Sequence, residues 1–219
     1  MIITYLGHSS FKLKGKLGTL VTDPFAESIG LATVKVSADM VTVSHQHDDH
    51  NAVSRISGTV RRNKPFIVDQ PGEYEVGGIS VFGVETYHDA TEGSERGKNI
   101  VYTILIDGVR ICHLGDLGHE LTSEQIDAIG SVDVLLCPVG GVYTINPELA
   151  VKTIRTLEPG VIIPMHYRTD EHTSDVFGQM KTVHDFCTEY GLEPQPVLKY
   201  EINAGTQSEE TELVVLARE

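Results

Sequence analysis

His45, His47, Asp49 and His50 stand in the spacing H-x-H-x-D-H, directly after the apolar run Met40-Val41-Thr42-Val43. Imidazole nitrogens and carboxylate oxygens suit divalent zinc, iron or manganese. Side chains alternate along an extended segment, so His45 and His47 point the same way and can share one ion. Asp49 and His50 follow where the chain is expected to turn into a helix, within reach of a second ion. The plain alternative is a solvated polar loop, and so dense a cluster of ligand types favours metal.

Two dications need more ligands than this motif supplies. His88 follows the run 81–86 and begins a polar loop, 88–99. Asp116 lies in His113-Leu114-Gly115-Asp116-Leu117-Gly118, and His166 closes Ile162-Ile163-Pro164-Met165-His166-Tyr167. Alone, a histidine at a strand end reads as a surface residue, and Asp116 as a turn residue between glycines. Beside H-x-H-x-D-H they read as further ligands.

The elements that must position these residues change character along the chain. Runs at 2–6, 11–13, 19–22, 40–43, 66–68 and 79–85 read as short strands between glycine turns. Asp107-Gly108 joins strands 100–106 and 109–113 as a hairpin. Thr122-Ser123-Glu124-Gln125 is a capping box for a helix that turns Ile126 and Ile129 inward. Buried strands follow at 132–139 and 161–164, with a helix from Asn146-Pro147 to about Leu157 between them. Residues 174–190 carry Val176, Phe177, Met180, Val183, Phe186 and Cys187 at helical spacing, a core stripe ended by Gly191. A polar turn, 204–211, precedes a last strand, 213–217. Two sheets with helices outside them, a four-layer α/β/β/α sandwich of the α+β class, follow from this order.

The 219 residues suit one domain, 1–219, with 40% apolar and 22% charged residues. The net charge of −14 disfavours nucleic acid as a partner. It leaves room for a small anionic substrate, because bound dications reverse the local sign. Cys112, Cys137 and Cys187 form no C-x-x-C and read as buried thiols of a cytoplasmic protein. No leader and no membrane-length apolar run is visible.

The order Asp23, His45-x-His47-x-Asp49-His50, His88, Asp116, His166 resembles the metallo-β-lactamase-fold superfamily across nearly the whole chain. Within it the closer resemblance is to small metal-dependent hydrolases related to ascorbate-6-phosphate lactonase. It rests on Leu6-Gly7-His8-Ser9-Ser10, Thr22-Asp23-Pro24-Phe25, Pro71-Gly72-Glu73-Tyr74, Pro138-Val139-Gly140-Gly141 and Ile163-Pro164-Met165-His166-Tyr167. The resemblance implies that His45, His47 and His88 hold one metal, that Asp49, His50 and His166 hold the other, and that Asp116 bridges them. Asp23 would orient the histidine loop from behind. β-Lactamases of this pattern carry Cys where Asp116 stands, and diiron oxygen reductases carry an acid where His47 stands. Both departures point away from those activities.

Two divalent cations, zinc first with manganese or iron compatible, would share a water and bring its pKa towards neutrality. The expected activity is hydrolysis by that bridging hydroxide of a small anionic ester, lactone or phosphorylated metabolite. A phosphodiesterase or nuclease and a non-catalytic metal- or ligand-binding protein are the alternatives. Asp49 can accept a hydrogen bond from the nucleophile. His8 is a candidate proton donor or a capped structural histidine; Tyr143 is another candidate, and His113 reads as structural. Glycines before the helix at Pro147 suggest either an anion site or a tight turn. Arg96 and Asn99 are expected to reach over the site from the loop 88–99, making them candidate catalytic residues. His119, His172 and His184 read as exposed. A homo-oligomer is compatible with all of this.

Overall fold

The computed structural model describes residues 1–205 and 210–219, so of the expected turn at 204–211, residues 206–209 lie outside the described residues. Short runs with inward-alternating apolar side chains build the first half. They are β1 (Ile2–Gly7), β2 (Ser10–Lys14), β3 (Thr19–Thr22), β4 (Val36–Ser37), β5 (Met40–Thr42), β6 (Ile56–Ser57) and β7 (Phe66–Val68). The second half continues with β8 (Gly72–Val76), β9 (Ile79–Tyr87), β10 (Lys98–Ile106), β11 (Val109–His113), α1 (Ser123–Ile129), β12 (Val134–Pro138) and α2 (Pro147–Leu157). It ends with β13 (Val161–Met165), α3 (Ser174–Phe177), α4 (Val183–Tyr190), β14 (Tyr200–Glu201) and β15 (Glu212–Leu213).

Two mixed sheets result. One runs β14-β1-β2-β3-β5-β7, the other β15-β13-β12-β11-β10-β9-β8. Asp107 and Gly108 both take positive φ, 53° and 79°, as the expected tight hairpin between β10 and β11 requires. The β11–β12–β13 ladder is parallel, and the wholly apolar β12 and β13 are buried along their length. The main core joins Ile3, Phe11 and Leu20 of the first sheet to Val81, Ile104 and Ile111 of the second.

The sandwich is the expected fold, with an uneven outer dressing. The capping box opens α1 as read, with Ile129 fully buried, and α1, α2 and α4 contribute Ile129, Ile154 and Phe186 to the main core. The far face of the first sheet buries Leu6, Val21, Val41 and Val43 against Val53 and Ile56, in a 3-10 turn and a short strand rather than an α-helix. The helix expected after His50 is therefore absent there; the His50 N–H bonds the His47 carbonyl in a single turn.

The helix expected over 174–190 is two helices. Lys181 donates its N–H to the Gly140 carbonyl, and Thr182 and Asp185 form a capping box that starts α4 afresh. The stripe divides accordingly: Phe186 and Cys187 enter the main core, whereas Phe177 and Met180 join Phe25, Ile29 and Leu31 in a separate cluster. The last strand is shorter than expected and ends at Leu213. Strand β8, over Gly72–Val76, was not anticipated; its residues alternate only between exposed and half-buried. Among the described residues no helix is long and apolar enough to cross a membrane.

Candidate metal centre

The ligand candidates converge where both sheets end on the same side. His45, His47, Asp49 and His50 follow β5 of the first sheet. His88 follows β9, Asp116 follows β11 and His166 follows β13, all of the second. The Asp116 Oδ2 lies 3.2 Å from His50 Nε2, 3.2 Å from His88 Nε2, 3.1 Å from His166 Nε2 and 3.8 Å from His45 Nε2. Ligand atoms of His45, His47 and His88 fall into one group that can hold an ion, and those of Asp49, His50 and His166, with His8, into another. The sequence-expected residues are all brought together.

Their surroundings point the coordinating atoms inward. Asp23 accepts from Ser44 N (2.8 Å), Ser44 Oγ (2.5 Å) and His50 Nδ1 (2.8 Å). With the Ser44 hydroxyl donating to Asp23, its oxygen accepts from His45 Nδ1 at 2.9 Å. Both histidines thus donate through Nδ1 and turn Nε2 to the centre. Those two nitrogens, His166 Nε2 and Asp116 Oδ1 are buried without a hydrogen-bond partner. Orphaned lone pairs of this kind cost about 1–3 kcal/mol each when left desolvated. Their convergence fits divalent cations, as the donor set of imidazole and carboxylate does.

Charge is arranged to match. Burial alone would raise the Asp116 and Asp49 carboxyls, but neighbouring His166 and His50 hold Asp116 well below the usual carboxylate range, and His50 and His8 do the same for Asp49. Burial, then the His166 ring, pushes His8 down to about 3 and His172 down to about 4, so both imidazoles are neutral.

His8 sits on Asp49 through a chain of fixed tautomers. The Thr169 N–H donates to His172 Nδ1 at 3.1 Å, leaving the His172 proton on Nε2. That nitrogen faces His8 Nδ1 at 3.4 Å, so His8 in turn directs an Nε2–H at Asp49 Oδ2, 3.1 Å away. His8 is therefore a donor that orients Asp49. His172 is buried, contrary to its expected exposure, because Phe177 and His8 pack on its ring. His119 is half-buried and accepts from Tyr87 N, also unlike its expected role, while His184 is exposed as read.

Asn99 is a correction. It was expected over the site, but it lies fully buried in β10, because that strand begins at Lys98 and shortens the loop. Its Oδ1 accepts from Asp116 N at 2.9 Å, and its Nδ2 donates to Leu114 O at 3.0 Å and Thr86 Oγ1 at 2.8 Å. The amide has no group left for a substrate and instead clamps the Asp116 turn. A Cβ at Gly115 (φ 56°) would collide with that amide and with Ser44, so the turn needs glycine there. His113 supports the same turn: its Nε2 donates to Ser9 O at 2.8 Å while Nδ1 accepts from Gly115 N, the structural role read for it.

Arg96 does reach the site. Asp89, buried next to His88, accepts from the backbone N–H groups of Thr91, Gly93, Glu95 and Arg96 and from the Thr91 hydroxyl. Asp89 was missed, although an aspartate followed by Thr91 and Gly93 is a turn-forming pattern. The helix end at Pro147 is no open anion site, because Asn146 Oδ1 already accepts from Leu149 N at 2.9 Å. The Tyr143 hydroxyl donates to Val176 O at 2.7 Å.

Comparison with known proteins agrees with this geometry. A family model described as a beta-lactamase superfamily domain matches residues 2–166. A protein from Archaeoglobus fulgidus named a UPF0173 metal-dependent hydrolase is 34% identical over 196 residues, covering 77% of this chain and 84% of its own. A crystal structure from Thermotoga maritima, described as a candidate Zn-dependent hydrolase of the metallo-beta-lactamase superfamily, is 38% identical. It superposes with a TM-score of 0.79 over 98% of this chain and 97% of its own. A metallo hydrolase from Ignicoccus hospitalis shares the fold at 21% identity, with a TM-score of 0.67 over 92% of this chain and 99% of its own. An inward-facing donor set at the joint edge of two sheets, on a chain with these relatives, identifies a metal-dependent hydrolase that belongs to the metallo-β-lactamase superfamily.

Proposed function

We propose that the centre is dinuclear and hydrolyses a small anionic ester or lactone. The carrying observation is Asp116: one buried carboxylate oxygen within 3.2 Å of Nε2 on His50, His88 and His166, with the second oxygen unpartnered. That position suits a bridge between an ion held by His45, His47 and His88 and one held by Asp49, His50 and His166. Zinc fits the histidine-rich donor set and is the metal in the description of the Thermotoga maritima relative. When bound, such a pair of ions supplies Lewis acidity and makes water between them a nucleophile at neutral pH.

The chain's own residues do the rest. Asp49, oriented by His8 at its Oδ2, lines the cavity and can accept a hydrogen bond from the attacking water. Arg96 presents positive charge beside the ligands, where an anionic substrate would bind. Tyr143 commits its hydroxyl to Val176 O and shapes the wall, which makes it a poor proton donor. Among the described residues Arg96 is the lone Lys or Arg lining the cavity, which supports a small substrate over a nucleic-acid backbone. Three buried free cysteines support residence in the reducing cytoplasm.

Elemental mass spectrometry of tag-free protein tests the reading. About two transition-metal ions per chain, falling in Asp116→Ala, are expected for a bridging carboxylate. One ion or none after reconstitution would overturn the dinuclear assignment, and two retained ions in Asp116→Ala would remove Asp116 from it.

A further inference from the structure

Beside the ligand cluster lies a cavity of about 500 Å³ whose two walls differ in chemistry. His47, Asp49, His88 and Asp116 form one wall; Ile29, Tyr143, Val176 and Phe177 form the other. Ile29, Phe177 and Tyr143 belong to the small apolar cluster that is separate from the main core. Val176 adds a side of chain that is 51% exposed, and the bond from the Tyr143 hydroxyl to Val176 O ties this wall together. Ile29 and Phe177 are buried beneath, so Val176 and the half-buried Tyr143 carry the apolar surface that faces the cavity, and such a surface beside a metal centre has substrate as its natural partner.

Arg96 stands at the edge of both walls. Its backbone is fixed by Asp89, which draws in four N–H groups of the loop, including its own at 2.7 Å. Its guanidinium carbon lies 5.8 Å from the centre of the Tyr143 ring, and Glu95 is 4.0 Å away. Among the described residues no hydrogen bond uses its side-chain N–H groups. A guanidinium on a fixed backbone, over the Tyr143 ring and with no hydrogen bond to its side-chain N–H groups, can take a planar oxyanion in a two-point grip.

Resting on the hydrolase reading above, we infer that the substrate is a monoanionic carboxylate-bearing ester or lactone with an apolar body. Its carboxylate pairs with Arg96 and its body lies on Val176 and the Tyr143 ring, backed by the buried Ile29 and Phe177. A phosphorylated sugar fits less well for two reasons. Its dianion would meet one guanidinium with Asp48 also lining the cavity and Glu95 close by. Its hydroxyls would also lose water against Val176 and the Tyr143 ring, whose hydroxyl is already committed to Val176 O and offers no bond in return. Hydrolysis itself adds water across the ester C–O bond, releasing an acid and an alcohol.

The test compares 4-nitrophenyl hydrogen glutarate, neutral 4-nitrophenyl butyrate and 6-phosphogluconolactone as substrates of the metal-loaded full chain. It also measures binding of 4-phenylbutyrate and inorganic phosphate by calorimetry. The glutarate monoester should exceed the butyrate in kcat/KM by about 10- to 100-fold, the range of a charge-assisted pair. That ratio should fall towards one in Arg96→Gln, with partial recovery in Arg96→Lys. Val176→Asp, at an exposed position, should weaken 4-phenylbutyrate binding about tenfold, as expected from a charge added to an apolar contact. Equal kcat/KM for the two esters, a ratio unmoved by Arg96→Gln, or preference for 6-phosphogluconolactone and phosphate would overturn the inference. If the loaded protein cleaves none of the three, the hydrolase reading fails by itself. Loss of 4-phenylbutyrate binding in Arg96→Gln, with metal content retained, would then still support the anion site, and unchanged binding would remove it.

Discussion

Replacing Asn99 with leucine keeps most of its volume but strands the Asp116 N–H and the Leu114 carbonyl inside the fold. Two buried backbone groups without partners cost about 2–6 kcal/mol. Urea denaturation of metal-free protein should show a loss of that size, and loading of the centre should weaken because the Asp116 turn is released. Unchanged stability would mean that water replaces the amide. Asn99 also marks where the sequence stopped being legible at the level of single residues. His45, His47, His50, His88, Asp116 and His166 could be picked out as one cluster because ligand chemistry restricts residue type. Asn99, His172 and Asp89 act through backbone partners at long or irregular separations, and their types are common in ordinary loops.

At the level of elements, capping chemistry decided what hydrophobic periodicity could not. Val176 to Cys187 has helical spacing, yet the chain leaves the helix after Phe177 and restarts at Val183 behind Thr182. The break sends Phe177 to the metal-side cavity and Phe186 to the main core, so one stripe serves two purposes. Thr182→Ala should cost about 1 kcal/mol, the usual worth of an N-cap, read as a lower urea midpoint with unchanged slope. A cost near zero would show that Asp185 alone holds the start of α4. Three other positions show why backbone shape at the site was hidden. His8, Asp23 and His166 take positive φ of 55°, 35° and 51°, a conformation that side chains other than glycine seldom adopt and that no spacing rule announces.

Across the whole molecule, the sandwich was legible because the order of short strands, buried strands and capped helices admits few arrangements. The uneven outer layer was less so: a 3-10 turn covering Val41 and Val43 leaves no amphipathic signal. Acid stability belongs to this scale. Asp39 is buried on the first sheet, where it accepts from Thr19 N at 2.9 Å and pairs with Arg61 and Thr59. Burial would raise its carboxyl, but Thr59, Arg61 and the Thr19 N–H together hold it below the usual value. A depressed folded-state pKa means stability that is full above the unfolded value of about 4 and is lost as pH falls through the folded one. Asp39→Asn should therefore destabilise the protein at pH 7 and progressively less below pH of about 4. Denaturation midpoints that stay in parallel across that range would count against Asp39 as the sensor.

The two sheets meet at the metal end through narrow ties. Ile100 N donates to Ser44 O at 2.9 Å, and the Tyr102 hydroxyl serves both Val43 O and Val68 O. The ligands are divided between the same two sheets, from His45 on one side to His166 on the other. An ion bound there would act as a reversible cross-link, closing more than half of the chain into a loop much as a disulfide would, but one governed by concentration. The melting temperature becomes a gauge of free metal. It should climb with the logarithm of metal concentration, by the equivalent of about 2.7 kcal/mol at a hundred times Kd, and fall back when a chelator is added. A melting temperature indifferent to both would mean that the sheets stay joined without the ions.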